Sequence, residues 1–233
     1  MIKVISFDLD DTLWPILPVI MEAEKITRKW LIENYSPVEI LLSEDILLNI
    51  RKDLIYKDKD LINRLSELRT LSITELAIRA GYSSVEASKI GKEAFEVFFE
   101  ARNNVTFYDD VLKVLESLNK KYILGGLTNG NADIKKIGLD RFFDFNFSSS
   151  DLNSSKPSPE NFHAIIRETE RQPFEICHVG DNPSHDVLGA INSGFQAIWF
   201  NPTEKKWELE KAEFLEAKNW LEIKDLILNL DQT

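Results

Sequence analysis

Two rhythms of apolar and polar positions run along the chain. Short apolar runs closed by turn residues recur at Val4–Phe7, Tyr122–Leu127, Phe145–Phe147, Glu175–Val179 and Phe195–Phe200. Runs of this length between turn signals read as strands. Between them the spacing becomes helical. Val111, Leu112, Leu115 and Leu118 form one stripe, and further helices are predicted near 131–137, around 159–171 and near 184–193, the last ending at Gly194. About five strands alternating with helices predict an α/β fold built on a parallel sheet.

The alternation is interrupted after the first strand. Of nine glycines, only Gly81 and Gly91 precede residue 125, so residues 14–104 read as an almost glycine-free helical block. Ser72-Ile73-Thr74-Glu75 and Ser83-Ser84-Val85-Glu86 each set a Glu three residues after a Ser. In that pattern the two side chains satisfy orphan N–H groups at a helix start. Gly81 falls where the first of these helices should stop. The later helix carries Val85, Ile90, Ala94, Phe95, Phe98 and Phe99, mostly on one face. Val19, Ile26 and Trp30 suggest another helix, and Ile40 to Leu48 a further one. The predicted organisation is a Rossmann-like core, residues 1–13 and 105–233, with a helical domain of residues 14–104 inserted after its first strand.

Composition narrows the class. With 43% apolar and 29% charged residues in 233, the chain can build a core yet is too charged for a membrane protein. Its net charge of −11 and lack of a Lys/Arg cluster argue against a nucleic-acid partner, because phosphate contacts require clustered positive charge. No apolar run approaches a membrane span, and Met1-Ile2-Lys3 leads straight into a strand, so a cytoplasmic location is expected. The single cysteine, Cys177, excludes an internal disulfide and a cysteine-cluster metal site. The inserted block is close to neutral, with 13 basic and 15 acidic residues. Most of the excess acid therefore belongs to the α/β part, where several acids stand at strand ends. Ligands bind at such ends in open parallel sheets.

Four strand-end segments carry candidate chemistry. The first strand runs into Asp8-Leu9-Asp10-Asp11-Thr12, and a period of two sets Asp8 and Asp10 on one side. Two carboxylates that close call for a metal or a shared proton. The second ends in Thr128-Asn129-Gly130, a hydroxyl, an amide and backbone donors. Lys156-Pro157 holds one cation ahead of a predicted helix, and Gly180-Asp181-Asn182-Pro183-Ser184-His185-Asp186 supplies two more acids.

Asp8-x-Asp10-x-Thr12, Thr128, Lys156 and Gly180-Asp181-x-x-x-x-Asp186 together resemble the four ordered motifs of the haloacid dehalogenase superfamily. The likeness covers essentially the whole chain and identifies the insert with that superfamily's first class of cap domain. It implies a phosphatase acting on a small phosphorylated metabolite. Asp8 would be the nucleophile forming an aspartyl-phosphate. Asp10 would be general acid to the leaving alcohol and then general base to water. Mg²⁺ would be held by Asp8, the main-chain carbonyl of Asp10 and Asp181, an all-oxygen set. Asp186 would act as a ligand or orient the ligands from behind. Thr128, the backbone N–H of Asn129 and Lys156 would receive phosphate charge. Within the superfamily, Asp10 favours phosphate esters over halides, because an alkoxide needs a proton on leaving and a halide does not. The segments Leu127–Ala132, Cys177–Asp181 and Asp186–Ala190, running on to Ile198-Trp199, are similar to bacterial phosphatases acting on FMN and on the ribitylaminouracil phosphate of riboflavin synthesis.

Other readings stay beside these. Asp8 and Asp10 also suit a turn, Thr128 an ordinary helix cap, and Lys156 a solvated surface. Trp14 suits either packing at the hinge or stacking on a substrate. His178 reads as a packed strand residue, and Arg64 and Arg69 as solvated. Phosphonate cleavage through a cap lysine, a mutase, and a silent binding protein on the same fold remain alternatives.

Overall fold

The structure, a computed structural model, describes residues 1–230. It divides into two compact units, Met1–Pro15 with Thr106–Thr233, and Ile16–Val105.

In the first unit, strands β1 (Val4–Phe7), β2 (Ile123–Thr128), β3 (Phe145–Ser148), β4 (Ile176–Gly180), β5 (Gln196–Phe200) and β6 (Leu215–Ala217) form one sheet in the order β3-β2-β1-β4-β5-β6. Every pairing is parallel. The sheet has one strand more than its apolar runs suggest. β6 is a three-residue edge strand beyond an irregular stretch, too short to show a period. Apolar side chains cover the sheet on both faces, which is why its strands read as near-continuous apolar runs. One cluster joins Val4, Leu127, Phe162, Ile176 and Trp199; elsewhere Phe7 stacks on Trp220, with ring centroids 5.4 Å apart.

The register positions the site. β1 lies between β2 and β4, with Phe7 opposite both Gly126 and Val179. The chain segments leaving three neighbouring strands, which carry Asp8, Asn129 and Asp181, therefore emerge side by side. After β1 the chain folds back on itself: Leu13 N–H donates to Leu9 O at 2.8 Å, and Asp11 takes a left-handed conformation (φ 59°) that aspartate tolerates. Departure and return are tied together, since Tyr108 N–H donates to Leu13 O at 2.9 Å. The helix predicted near 184–193 is two pieces, a π-helical turn (Pro183–Leu188) and a short α-helix (Gly189–Asn192).

The second unit is helical: α1 (Ile16–Asn34), α2 (Glu44–Lys57), α3 (Leu65–Arg79) and α4 (Ser84–Arg102). The Ser83–Glu86 capping box forms as predicted at the start of α4. The Ser72–Glu75 pattern does not cap anything, because α3 has already begun at Leu65. Ser72 is buried within it and donates to Leu68 O at 2.6 Å. Ile40 lies in a 3₁₀ turn (Ser36–Leu41) before α2 and is exposed. Ser43 caps α2, its hydroxyl accepting from Ile46 N–H. Arg69 is not solvated: it donates to Glu24 at 2.7 Å and lies 3.5 Å over the Phe98 ring.

Candidate active site

Asp8 extends the β1–β4 ladder by one residue, its N–H donating to Val179 O at 2.9 Å. That bond fixes the backbone, so the carboxylate projects from a rigid sheet edge. Lys156 is drawn to it from the loop before the helix Pro159–Thr169. The Asn129 side chain holds that loop by both ends of one residue, accepting from Lys156 N–H at 2.7 Å and donating to Lys156 O at 3.0 Å. Lys156 itself is buried, and its ammonium donates to Asp8 Oδ1 (2.7 Å), Asp186 Oδ1 (2.6 Å) and Leu127 O (2.6 Å). Three donors meet three acceptors. Lys156 thus places a positive charge against Asp8 and Asp186.

Asp186 is held from every side. Its Oδ2 accepts from Asn182 N–H at 2.9 Å, and its Oδ1 also receives His178 Nε2 at 3.2 Å. His178 is buried in β4, and its Nδ1 meets Ser6 Oγ at 2.8 Å in the facing position of β1. Burial lowers the imidazole pKa, opposed by Asp186, so the ring is neutral. The carboxylate can only accept, which places the proton on Nε2 and makes Ser6 donate to Nδ1. Close approach also requires Gly180, because a Cβ there would overlap Asp186 Cγ.

The carboxylates of Asp8, Asp181 and Asp186 each bring an oxygen within 4.8 Å of the others. Burial pushes the Asp8 carboxyl well above its ordinary range, against Lys156 and with Asp186 and Asp181 adding. Asp181 is pushed up to about 7 by burial, Asp186 and Asp11. Burial would raise Asp186 too, but Lys156 and His178 hold it below the usual carboxylate range. For Lys156, burial opposes the ammonium, and Asp186 and Asp8 more than offset it, so it stays charged. Three crowded carboxylates against one ammonium leave excess negative charge, and an all-oxygen donor set of this kind fits a hard divalent cation. Asp8 and Asp181 are the freer ligands, since Asp186 already serves Lys156, His178 and Asn182.

Asp10 stands apart from that trio. Its Oδ1 accepts the Trp14 indole N–H at 3.0 Å. Trp14 is fully buried, with Phe107 edge-on at 5.9 Å. The buried ring fits packing at the hinge, and its polar edge meets Asp10. Thr128 is buried at the end of β2, its Oγ1 accepting from Gly130 N–H at 2.9 Å.

Ser6, His178 and Trp199, whose indole donates to Asp181 O at 2.9 Å, were not legible as site residues. For the first pair a signal existed: each is the polar residue of an otherwise apolar strand, Val-Ile-Ser-Phe and Ile-Cys-His-Val. Polar groups buried in adjacent strands tend to pair.

Fold, strand-end acids and buried lysine together define a hydrolase class, and the chain belongs to the haloacid dehalogenase-like hydrolases, whose family model matches residues 2–194. It is a phosphatase of that family. Over 230 residues, 97% of this chain and 96% of the relative, it is 30% identical to 5-amino-6-(5-phospho-D-ribitylamino)uracil phosphatase YigB of Escherichia coli (strain K12). Glyceraldehyde 3-phosphate phosphatase of Pyrococcus furiosus is 28% identical over 85% of this chain and 80% of its own. Among solved structures, 2-haloacid dehalogenase from Pseudomonas syringae superposes with a TM-score of 0.95 at 37% identity, covering 98% of this chain and 99% of that one. No helix among the described residues is long and apolar enough to cross a membrane.

Proposed function

We propose that the protein is a Mg²⁺-dependent phosphomonoesterase that works through an aspartyl-phosphate on Asp8, with a phosphorylated metabolite of the riboflavin-pathway type, FMN or ribitylaminouracil phosphate, as substrate. The observation that carries this reading is Asp10, a carboxylic acid two residues after the nucleophile and held by Trp14 rather than by the acidic trio. Asp8 attacks phosphorus, and the bond to the ester oxygen breaks as Asp10 gives that oxygen a proton. Asp10, now a carboxylate, takes a proton from the water that attacks the phosphorus of the aspartyl-phosphate, freeing Asp8 and inorganic phosphate. Lys156 holds Asp8 in place, and Thr128 and the Asn129 N–H lie at the neighbouring strand end to receive phosphate oxygens. Asp8, Asp181 and the Asp10 carbonyl, with Asp186 beside them, would hold Mg²⁺, whose positive charge would offset the negative charge of the phosphoryl group. Support for the substrate comes from the E. coli relative, which matches nearly end to end.

The test is Mg²⁺-dependent phosphate release from p-nitrophenyl phosphate, FMN and ribitylaminouracil phosphate by the wild type and by Asp8→Asn. Turnover should vanish in the variant, with its melting temperature kept, and in excess chelator. Hydrolytic dehalogenation is a second reading, favoured by the name of the P. syringae structure. Halide release from 2-chloropropionate without phosphate release from any ester would establish it and overturn the first.

A further inference from the structure

A cavity of about 490 Å³ lies wholly within the helical unit, among α1, α2, α3 and α4. Its size falls in the range of small-molecule sites, about 300–1,000 Å³. Leu31, Leu42, Ile73 and Ala94 give it a buried apolar floor. Half-buried Arg51 and Arg69 also line it, with Glu24 the carboxylate they share; Arg28 stands on the exposed rim with Lys25, Glu44 and Asp45.

The charges in this lining are uneven. Glu24 accepts from Arg69 at 2.7 Å, and the same oxygen lies 3.8 Å from Arg51, beyond hydrogen-bonding range. One carboxylate therefore serves two guanidiniums, only one of them by a hydrogen bond. Arg28 is anchored by its contact with Leu42 O. Burial lowers the Arg69 pKa against Glu24, and the neighbouring Arg51 and Arg102 add to that effect. Guanidiniums present a planar fork that matches a carboxylate or phosphate in two parallel bonds. An anion seated at Arg51 would relieve the crowding of positive charge, and an apolar body attached to it would cover the floor.

We propose that this cavity is a binding site for a small organic anion, an acidic group on a compact apolar body, recognised by Arg51 with Arg28 and Arg69. The site is independent of the phosphate chemistry at Asp8. It predicts that charge and apolar surface are both needed, and that Glu24 competes with the ligand.

Isothermal titration of the whole chain, with Mg²⁺ and excess inorganic phosphate occupying the catalytic site, tests this with 2-naphthoate and its neutral analogue 2-naphthamide. Naphthoate should bind at one site at least tenfold more tightly than the amide. Arg51→Gln, at a half-buried position, should abolish that preference, and Glu24→Gln should widen it several-fold. Chemical-shift changes on adding naphthoate should centre on residues 24–94. Absence of naphthoate binding at millimolar concentration, equal affinity for the two probes, or a preference untouched by both substitutions would overturn the proposal.

Discussion

Gly180 and Asp186 are in contact across the turn that follows β4, and nothing larger than a hydrogen fits between them. The carboxylate folded onto Gly180 is the one that receives Lys156 and His178. Gly180→Ala should therefore displace Asp186, and through it Lys156, while leaving Asp8 intact. We expect a loss of turnover of about 100-fold or more and a destabilisation of about 1–3 kcal/mol, the usual cost of overpacking. Steady-state kinetics and urea unfolding check both. Wild-type activity in this variant would show that Asp186 has another route to its partners.

Trp14 supplies a second test. Trp14→Phe keeps an aromatic ring in the buried site but removes the donor to Asp10. Losing one hydrogen bond costs about 1 kcal/mol, and kcat for an alkyl phosphate should fall about tenfold with KM unchanged. A raised KM with normal kcat is what a substrate-stacking tryptophan would give.

The pH dependence of stability has a definite sign when metal is removed. Asp181 titrates near 7 when folded and Asp8 is also raised, whereas unfolded aspartates titrate near about 3.9. Between these values the folded state binds more protons, so stability falls as pH rises from about 4 to 7 and is highest toward the acid side of that window. Asp186, shifted the other way, stays ionised throughout it. Chemical unfolding in chelator at pH 5 and pH 8 should show the protein more stable at pH 5. Saturating Mg²⁺ should flatten or reverse the difference, and Asp181→Asn should reduce it.

Asp10→Asn separates proton transfer from positioning. Placed proton donors contribute about 10²–10⁴-fold in rate. The benefit scales with the need of the leaving group, which is large for an alkoxide and small for p-nitrophenolate. In single-turnover experiments that follow the released alcohol, the substitution should slow FMN cleavage far more than nitrophenyl phosphate cleavage. Equal slowing would assign Asp10 a purely structural role.

Three of the four segments could be read because each interrupts an apolar run with groups that no core tolerates unpaired. Lys156 was placed by its order along the chain; its burial among Asp8, Asp186 and Leu127 O depends on Asn129 gripping its backbone, a contact between residues 27 apart. The Ser6–His178 pair depends on strand register, which periodicity alone does not set. Ser72 was misread because a local capping pattern yields when a longer helix already spans it. Arg69 was misread for a similar reason: its partners Glu24 and Phe98 lie on other helices, and a single helix cannot reveal that a cation will be covered.

The hydrogen bond from Tyr108 to Leu13 closes the sheet's side of the insertion at a single stitch. Seen from the catalytic strands, residues 16–105 are an excursion whose ends are already knotted. Such an excursion can lengthen, shrink or be replaced wholesale without moving Asp8 or Lys156. Lineages carrying this core can therefore refit the intervening segment while inheriting the same chemistry unchanged.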